Sequence, residues 1–245
     1  SGSGWASLQQ EAPVQWARWS FPDAGSQPVT CNMGMSMPSW FDIIDLPLRD
    51  AESAANPRGL EAAVSAVHAM LRQSESLGFP AERTLLGGFS QGAALSLYAG
   101  LTYEKPLAGI VALSGWAMRR KSLAGIVRHK DVPIFMGHGE NDETVPCSLG
   151  RAAAAALREA GCSSVELQTY RGLAHSASQQ ELRDVHAFLR SRLPESWEAA
   201  ETSTESEPKE APPRAASQMK VAVKRRPTAS PPKHSIEVQD GSLRI

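Results

Sequence analysis

Gly88-Phe89-Ser90-Gln91-Gly92 has the pattern G-x-S-x-G. A short apolar run, residues 84–89 (T-L-L-G-G-F), leads into it, and a helix-forming run, Ala93-Ala94-Leu95, leads out. In that strand–turn–helix setting a serine stands on a tight turn with its hydroxyl exposed. The flanking glycines are expected to remove side chains that would collide. The helix that opens here aims free N–H groups and the positive end of its dipole at the serine, so negative charge developing there is stabilised. The chemistry this suits is attack of a serine hydroxyl on an acyl carbonyl. Such a hydroxyl is a weak nucleophile unless a base lies within reach.

Six histidines could supply the base. His68 and His186 fall within helical stretches close to apolar faces and read as structural. His129 sits in a polar segment and His234 in a polar tail. His138 closes an apolar run, where a structural role is expected. His175 differs: it lies in the loop Gly172-Leu173-Ala174-His175, after a strand ending at Tyr170. Behind it, Ser178-x-x-Glu181 is a capping box that starts a helix. His175 is therefore expected to act as general base and acid.

That base needs a carboxylate to fix its tautomer and to stabilise the imidazolium. Asp142 is the candidate, in the loop Gly139-Glu140-Asn141-Asp142-Glu143-Thr144-Val145-Pro146 that leaves another apolar run. Glu140 and Glu143 are less well placed, and a plain turn residue is the competing reading of Asp142. The chain order Ser90, Asp142, His175 is that of α/β-hydrolases and differs from those of chymotrypsin and subtilisin. The N–H of Gln91, following the nucleophile, is the expected oxyanion donor.

These residues need a scaffold. The apolar runs 84–89, 109–113 and 132–136 read as strands buried on both faces. Val165, Leu167 and Thr169 alternate with polar residues, as in a more exposed strand. Leu60, Val64, Val67 and Leu71 share one helical face. Residues 152–157 form an Ala-rich helix, and Leu182, Val185 and Leu189 mark the last one. Residues 14–20 read as the first strand. Strands alternating with helices imply an α/β architecture, a mostly parallel sheet with helices on both faces. Ligands bind such sheets at the carboxyl ends of the strands, where Ser90, Asp142 and His175 all fall.

Composition narrows the alternatives. The chain has 245 residues and a formal net charge of −1, which argues against general affinity for nucleic acid or anionic membrane. No apolar run is long enough to span a bilayer, so no stable membrane insertion is expected. Cys31, Cys147 and Cys162 are widely spaced and suit reduced thiols of an intracellular protein. No Cys/His cluster has metal-ligand spacing. Residues 1–195 read as one catalytic domain. Residues 196–245 are rich in Pro, Ser, Glu and Lys and read as a disordered tail. Within it, Lys224-Arg225-Arg226 is a weak docking signal, with a merely solvated tail as the plainer reading.

Residues 4–194 resemble the acyl-protein thioesterase, lysophospholipase and carboxylesterase family. The resemblance is carried by Asn32-Met33, by Met37-Pro38-Ser39-Trp40-Phe41-Asp42-Ile43, by Gly87-Gly88-Phe89-Ser90-Gln91-Gly92 and by Leu113-Ser114-Gly115-Trp116. Gly137-His138-Gly139 with Asp142 and Val145-Pro146, and Gly172 with His175-Ser176, complete it. It implies an α/β-hydrolase fold and a cytoplasmic enzyme that cleaves S-acyl cysteine thioesters, lysophospholipids or small carboxylic esters through an acyl-enzyme, without metal or organic cofactor.

Met33, Met35 and Met37 alternate, so in an extended segment they would share a face. With Trp40, Phe41 and Trp116, placed nearby by the resemblance, they are expected to border an acyl groove. Ordinary hairpin and core packing competes with that reading.

Family members begin with an apolar strand ending in a His-Gly-x-Gly-Asp loop that supplies a second oxyanion N–H. This sequence shows neither, and Gly4-Trp5 matches the segment that follows that loop. The expectation is a sheet lacking the family's first strand. The alternative function is then a weakly active or inactive form that binds acyl groups or proteins.

Overall fold

The computed structural model of the protein describes residues 2–6, 8–11, 14–53 and 55–195. The segment 196–245, with His234 and Lys224-Arg225-Arg226, lies outside the described residues. In chain order the elements are α1 (Leu8–Glu11), β1 (Ser26–Pro28), β2 (Ser36–Pro38), α2 (Asp50–Ser53), α3 (Leu60–Ser76), β3 (Leu85–Phe89) and α4 (Gln91–Thr102). They continue with β4 (Gly109–Leu113), α5 (Leu123–Ile126), β5 (Ile134–Gly139), α6 (Cys147–Glu159), β6 (Val165–Tyr170) and α7 (Gln179–Arg192).

β3, β4, β5 and β6 form a parallel sheet in that order, and β1 and β2 form a separate antiparallel hairpin. The two-residue period of a strand sends alternate side chains to opposite faces. Ile110, Ala112, Ile134 and Met136 face one layer, with Leu60, Val64, Leu97, Leu101 and Leu157 of α3, α4 and α6. Val111, Leu113 and Phe135 face the other, against Val185, Phe188 and Leu189 of α7. This is an α/β-hydrolase architecture with helices on both faces. Close approach of α4 to the sheet depends on Gly100, where a Cβ would stand 2.6 Å from Ile110 Cδ1. At α7 only half of the expected capping box forms: Ser178 Oγ accepts the Glu181 N–H at 3.1 Å, but the Glu181 carboxyl turns inward and makes no return bond.

Two expectations about strands need correction. Residues 14–20 form no strand. The Ala17 N–H closes onto the Val14 carbonyl at 3.0 Å, and Val14, Ala17 and Trp19 pack on the α7 face of the sheet. Their spacing is that of a turn laid against the core, not of a ladder. The run 132–136 is displaced toward the C-terminus. Pro133 has no N–H and cannot donate to a ladder, so β5 starts at Ile134 and reaches Gly139, taking in His138. Among the described residues β3 has a ladder partner on one side only, β4, where the resemblance implies a strand on the other side as well.

Candidate active site

Ser90 ends β3 and opens α4 at φ 55° and ψ −118°. A non-glycine residue there is strained by about 1–3 kcal/mol, and the surroundings fix it. The Ser90 N–H donates to the Leu113 carbonyl at 2.8 Å, and the Ser90 carbonyl accepts from Ala93 and Ala94 at 3.0 and 3.1 Å. The flanking glycines are not equivalent. A Cβ on Gly88 would lie 2.3 Å from the Gly92 carbonyl carbon, whereas one on Gly92 would meet nothing within 4 Å. Steric need for glycine on both sides, expected from the motif, therefore holds for Gly88 alone. Helix geometry leaves the Gln91 N–H without an intrahelical acceptor, free to face an oxyanion.

His175 Nε2 lies 2.9 Å from Ser90 Oγ, and His175 Nδ1 lies 2.7 Å from Asp142 Oδ2. The imidazole side chain is 7% exposed and the Asp142 carboxyl 0%. With Asp142 ionised, Nδ1–H donates to it and Nε2 is left to accept the serine proton. Burial pushes the Asp142 carboxyl up. The bond from His175 and the Val145 N–H outweigh burial and hold it below the usual carboxylate range. Its other oxygen accepts from the Thr144 and Val145 N–H groups at 3.0 and 2.8 Å.

Backbone packing brings these loops together. A Cβ on Gly139 would stand 2.3 Å from the Leu173 carbonyl oxygen and 2.6 Å from that of Ala174, so glycine lets the His175 loop rest on the end of β5. The Asn141 N–H ties the loops further, donating to Leu173 O at 2.9 Å. His138 supports the Asp142 loop from within. It is 1% exposed, and its Nε2 lies 2.8 Å from Val145 O and 3.6 Å from Asp142 Oδ2. Burial pushes its pKa down, so it is neutral at pH 7 and donates to Val145. Glu140 instead accepts from Thr169 Oγ1 at 2.9 Å, and Glu143 is exposed.

The expected acyl-groove residues separate by exposure. Met33 sits at a turn with φ 54° and is 87% exposed, and Met35 is 51% exposed. Met37 is half-buried in β2 and its Sδ accepts from Asn32 Nδ2 at 3.3 Å. Only Ser36–Pro38 is extended, so the three methionines do not share one face. Trp40 is half-buried, while Phe41 and Trp116 are buried and meet edge-on at 6.3 Å between ring centroids.

Three features of the site were not read from the sequence. Gln91 uses its side chain to hold residues 39–41 beside the nucleophile. Its Oε1 accepts the Trp40 N–H at 2.9 Å, and its Nε2 donates to Ser39 Oγ at 2.9 Å and Phe41 O at 2.7 Å. Phe89 packs its ring against His175. Glu181, known from sequence only as a capping residue, is 0% exposed with no hydrogen bond to either carboxyl oxygen. Its inward fold carried no local sequence signal, although Gly137, where a Cβ would lie 2.3 Å from Glu181 Oε1, is the space that admits it.

No group of three or more His, Cys, Asp or Glu side chains among the described residues is placed to hold a metal ion. None of their helices is long and apolar enough to cross a membrane. Cys31, Cys147 and Cys162 are free.

Known proteins match this chain over most of its length. The phospholipase/carboxylesterase family matches residues 1–193. Acyl-protein thioesterase 1 of Gibberella zeae is 38% identical over 208 residues, 79% of this chain and 86% of that protein. Acyl-protein thioesterase 1 of Neurospora crassa is 36% identical over 219 residues, 84% of this chain and 87% of that protein. Among solved structures, Arabidopsis thaliana SOBER1 superposes with a TM-score of 0.73 at 35% identity, over 79% of this chain and 93% of that one. Zea mays acyl-protein thioesterase 2 gives 0.66 at 26% identity, over 78% and 88%.

Proposed function

Because the chain belongs to the phospholipase/carboxylesterase family, and is thus a hydrolase of carboxylic esters or thioesters, we propose that Ser90, His175 and Asp142 are its catalytic triad. The observation that carries this reading is the unbroken line of contacts from Ser90 Oγ through both ring nitrogens of His175 to Asp142 Oδ2, at 2.9 and 2.7 Å.

The reaction runs in two stages. His175 Nε2 takes the Ser90 proton as Oγ attacks the acyl carbonyl. Charge collects on the carbonyl oxygen, against the Gln91 N–H at the α4 terminus. The imidazolium, held by ionised Asp142, gives its proton to the departing thiolate or alkoxide and leaves an acyl-Ser90 ester. Water enters, loses a proton to His175 and attacks the acyl carbon. The acid departs and Ser90 recovers its proton.

The proposed substrates are S-acylated proteins, the class named in the acyl-protein thioesterases of Gibberella zeae and Neurospora crassa, with lysophospholipids and small esters as chemically similar acyl donors. Met33 and Met35, which are exposed, and Met37, although the three do not share one face, are the proposed acyl-chain contacts together with Trp40 in the loop held by Gln91. Trp40 packs on the cluster that holds Phe41 and Trp116. Placement in the cytoplasm is part of the proposal and rests on the sparse, unpaired cysteines. The alternative of a binding protein without activity is not favoured, since the named relatives are thioesterases. Labelling with a fluorophosphonate probe, followed by peptide mapping, tests the nucleophile. The adduct belongs on Ser90, and an adduct elsewhere would overturn the assignment.

A further inference from the structure

His175 is restrained by more than its two hydrogen bonds. Phe89, the residue before the nucleophile, lies with its ring centroid 4.8 Å from that of His175 and the planes inclined by 47°. The strand period explains why it reaches the imidazole. Leu85 and Phe89 both face the α7 side of the sheet, packing on the layer of Val111, Leu113 and Val185, and the His175 loop leads into α7 on that same side. Behind Phe89 stands Trp5, at 5.4 Å between centroids and inclined by 39°. Trp5, Phe89 and His175 thus form a continuous run of three rings.

The contact has a chemical consequence, and it rests on the reading of His175 as the base. While Ser90 keeps its proton, the imidazole is neutral and meets Phe89 as one apolar ring meets another. Once it takes the proton it is a cation against an aromatic ring, well within the roughly 6 Å over which the ring quadrupole attracts positive charge. That attraction exists only in the charged state, so it lowers the barrier without tightening substrate binding. We propose that Phe89 is a positioning residue that holds His175 in line with Ser90 and stabilises its imidazolium as the tetrahedral intermediate forms. Trp5 backs the ring and keeps it in that orientation.

The test replaces Phe89 with mono-, di- and trifluorophenylalanine by unnatural-amino-acid incorporation, beside Phe89→Leu and Phe89→Tyr, in a short-chain chromogenic ester assay. Fluorine withdraws charge from the ring face with little change in size. The expected result is a stepwise fall in kcat with fluorination, reaching roughly three- to thirtyfold, with KM within about twofold. Phe89→Leu should fall by a similar factor, and Phe89→Tyr should restore most of the rate. A kcat that ignores fluorination overturns the proposal even if Phe89→Leu misfolds, because the fluorinated rings preserve the packing. Ser90→Ala and His175→Ala in the same assay separate the two readings. Full activity in either defeats the triad and this proposal together, whereas inactive alanine variants with a flat fluorination series defeat the role of Phe89 alone.

Discussion

Gly139 lies so close beneath Leu173 that a single added Cβ would come within 2.3 Å of the Leu173 carbonyl oxygen. The contact joins the strand that leads to Asp142 with the loop that carries His175, and both sides of it are backbone. Neither can move away as a flexible side chain would. Gly139→Ala is therefore expected to push the His175 loop outward. A misplacement near 1 Å is worth about a hundredfold in rate, so kcat should fall by about that factor while the far-ultraviolet circular dichroism stays native. A Gly139→Ala enzyme of normal kcat would show that the loop contact does not set the alignment of His175.

Asp142→Asn tests the carboxylate by charge alone. Asparagine keeps an oxygen for the Thr144 and Val145 N–H groups but offers N–H to His175 and so favours the wrong tautomer. The expected loss is about 10⁴ in kcat, by analogy with the protease triad, in a protein that still folds. Unchanged kcat would remove Asp142 from the site.

Glu181 gives a prediction for stability. Burial is the main reason its carboxyl is pushed up to about 7, and the nearby Asp184 and Asp142 add to that. The folded state thus holds this proton more tightly than the unfolded chain does. Its favourable contribution is complete below the ordinary value of 4.5 and is lost as pH rises through about 7. Above that pH the ionised group destabilises the fold by up to about 3 kcal/mol. Glu181→Gln should then raise the midpoint of thermal unfolding at pH 8 and leave it nearly unchanged at pH 4.5. An equal shift at both values would mean that ionisation is not the cause. Asp142 has the opposite sign, since its depressed carboxyl gives stability that disappears as pH falls.

Gln91 combines a main-chain role with a side-chain one, and mutation can separate them. Gln91→Ala retains the N–H proposed to face the oxyanion but removes three hydrogen bonds to residues 39–41. Each is worth about 0.5–1.5 kcal/mol. Freed of them, the loop bearing Trp40 should loosen. KM for long-chain esters should rise severalfold, with short-chain kcat changed less. An equal loss on both substrates would place the damage at the nucleophile instead.

The acyl wall is tested at Met35, half exposed at the hairpin. Met35→Glu places charge where an alkyl chain is proposed to lie. Hydrolysis of a C12 or longer ester should drop at least tenfold relative to that of a butyrate ester. If both fall alike, or neither does, Met35 does not line the acyl path.

Much of the scaffold was legible because a parallel sheet buried on both faces writes itself as apolar runs. The segments 109–113 and 165–170 match β4 and β6, and the helical faces that include Val64 and Val185 recur in the two layers of the core. The candidate triad was legible for a similar reason, since G-x-S-x-G and the loops bearing Asp142 and His175 follow strand ends.

What escaped was set by contacts distant along the chain. Residues 14–20 carry apolar side chains suited to a strand, yet they pack in a layer with residues far along the chain, Val111 and Val185 among them, and a turn buries them as well as a ladder would. The alternation of Met33, Met35 and Met37 does not reveal that Met33 takes a left-handed turn conformation. The Gln91 clamp, the Phe89–His175 contact and the inward fold of Glu181 all join segments that only the finished fold brings together.

The most direct measurement is hydrolysis of a short-chain chromogenic ester by the purified chain beside Ser90→Ala, with circular dichroism on both. The expected result is turnover by the parent chain, with a burst of product equal to the enzyme present, and loss of both turnover and burst in a variant that is equally folded. Turnover that survives in folded Ser90→Ala would contradict the assignment of Ser90 as nucleophile, and with it the proposed triad.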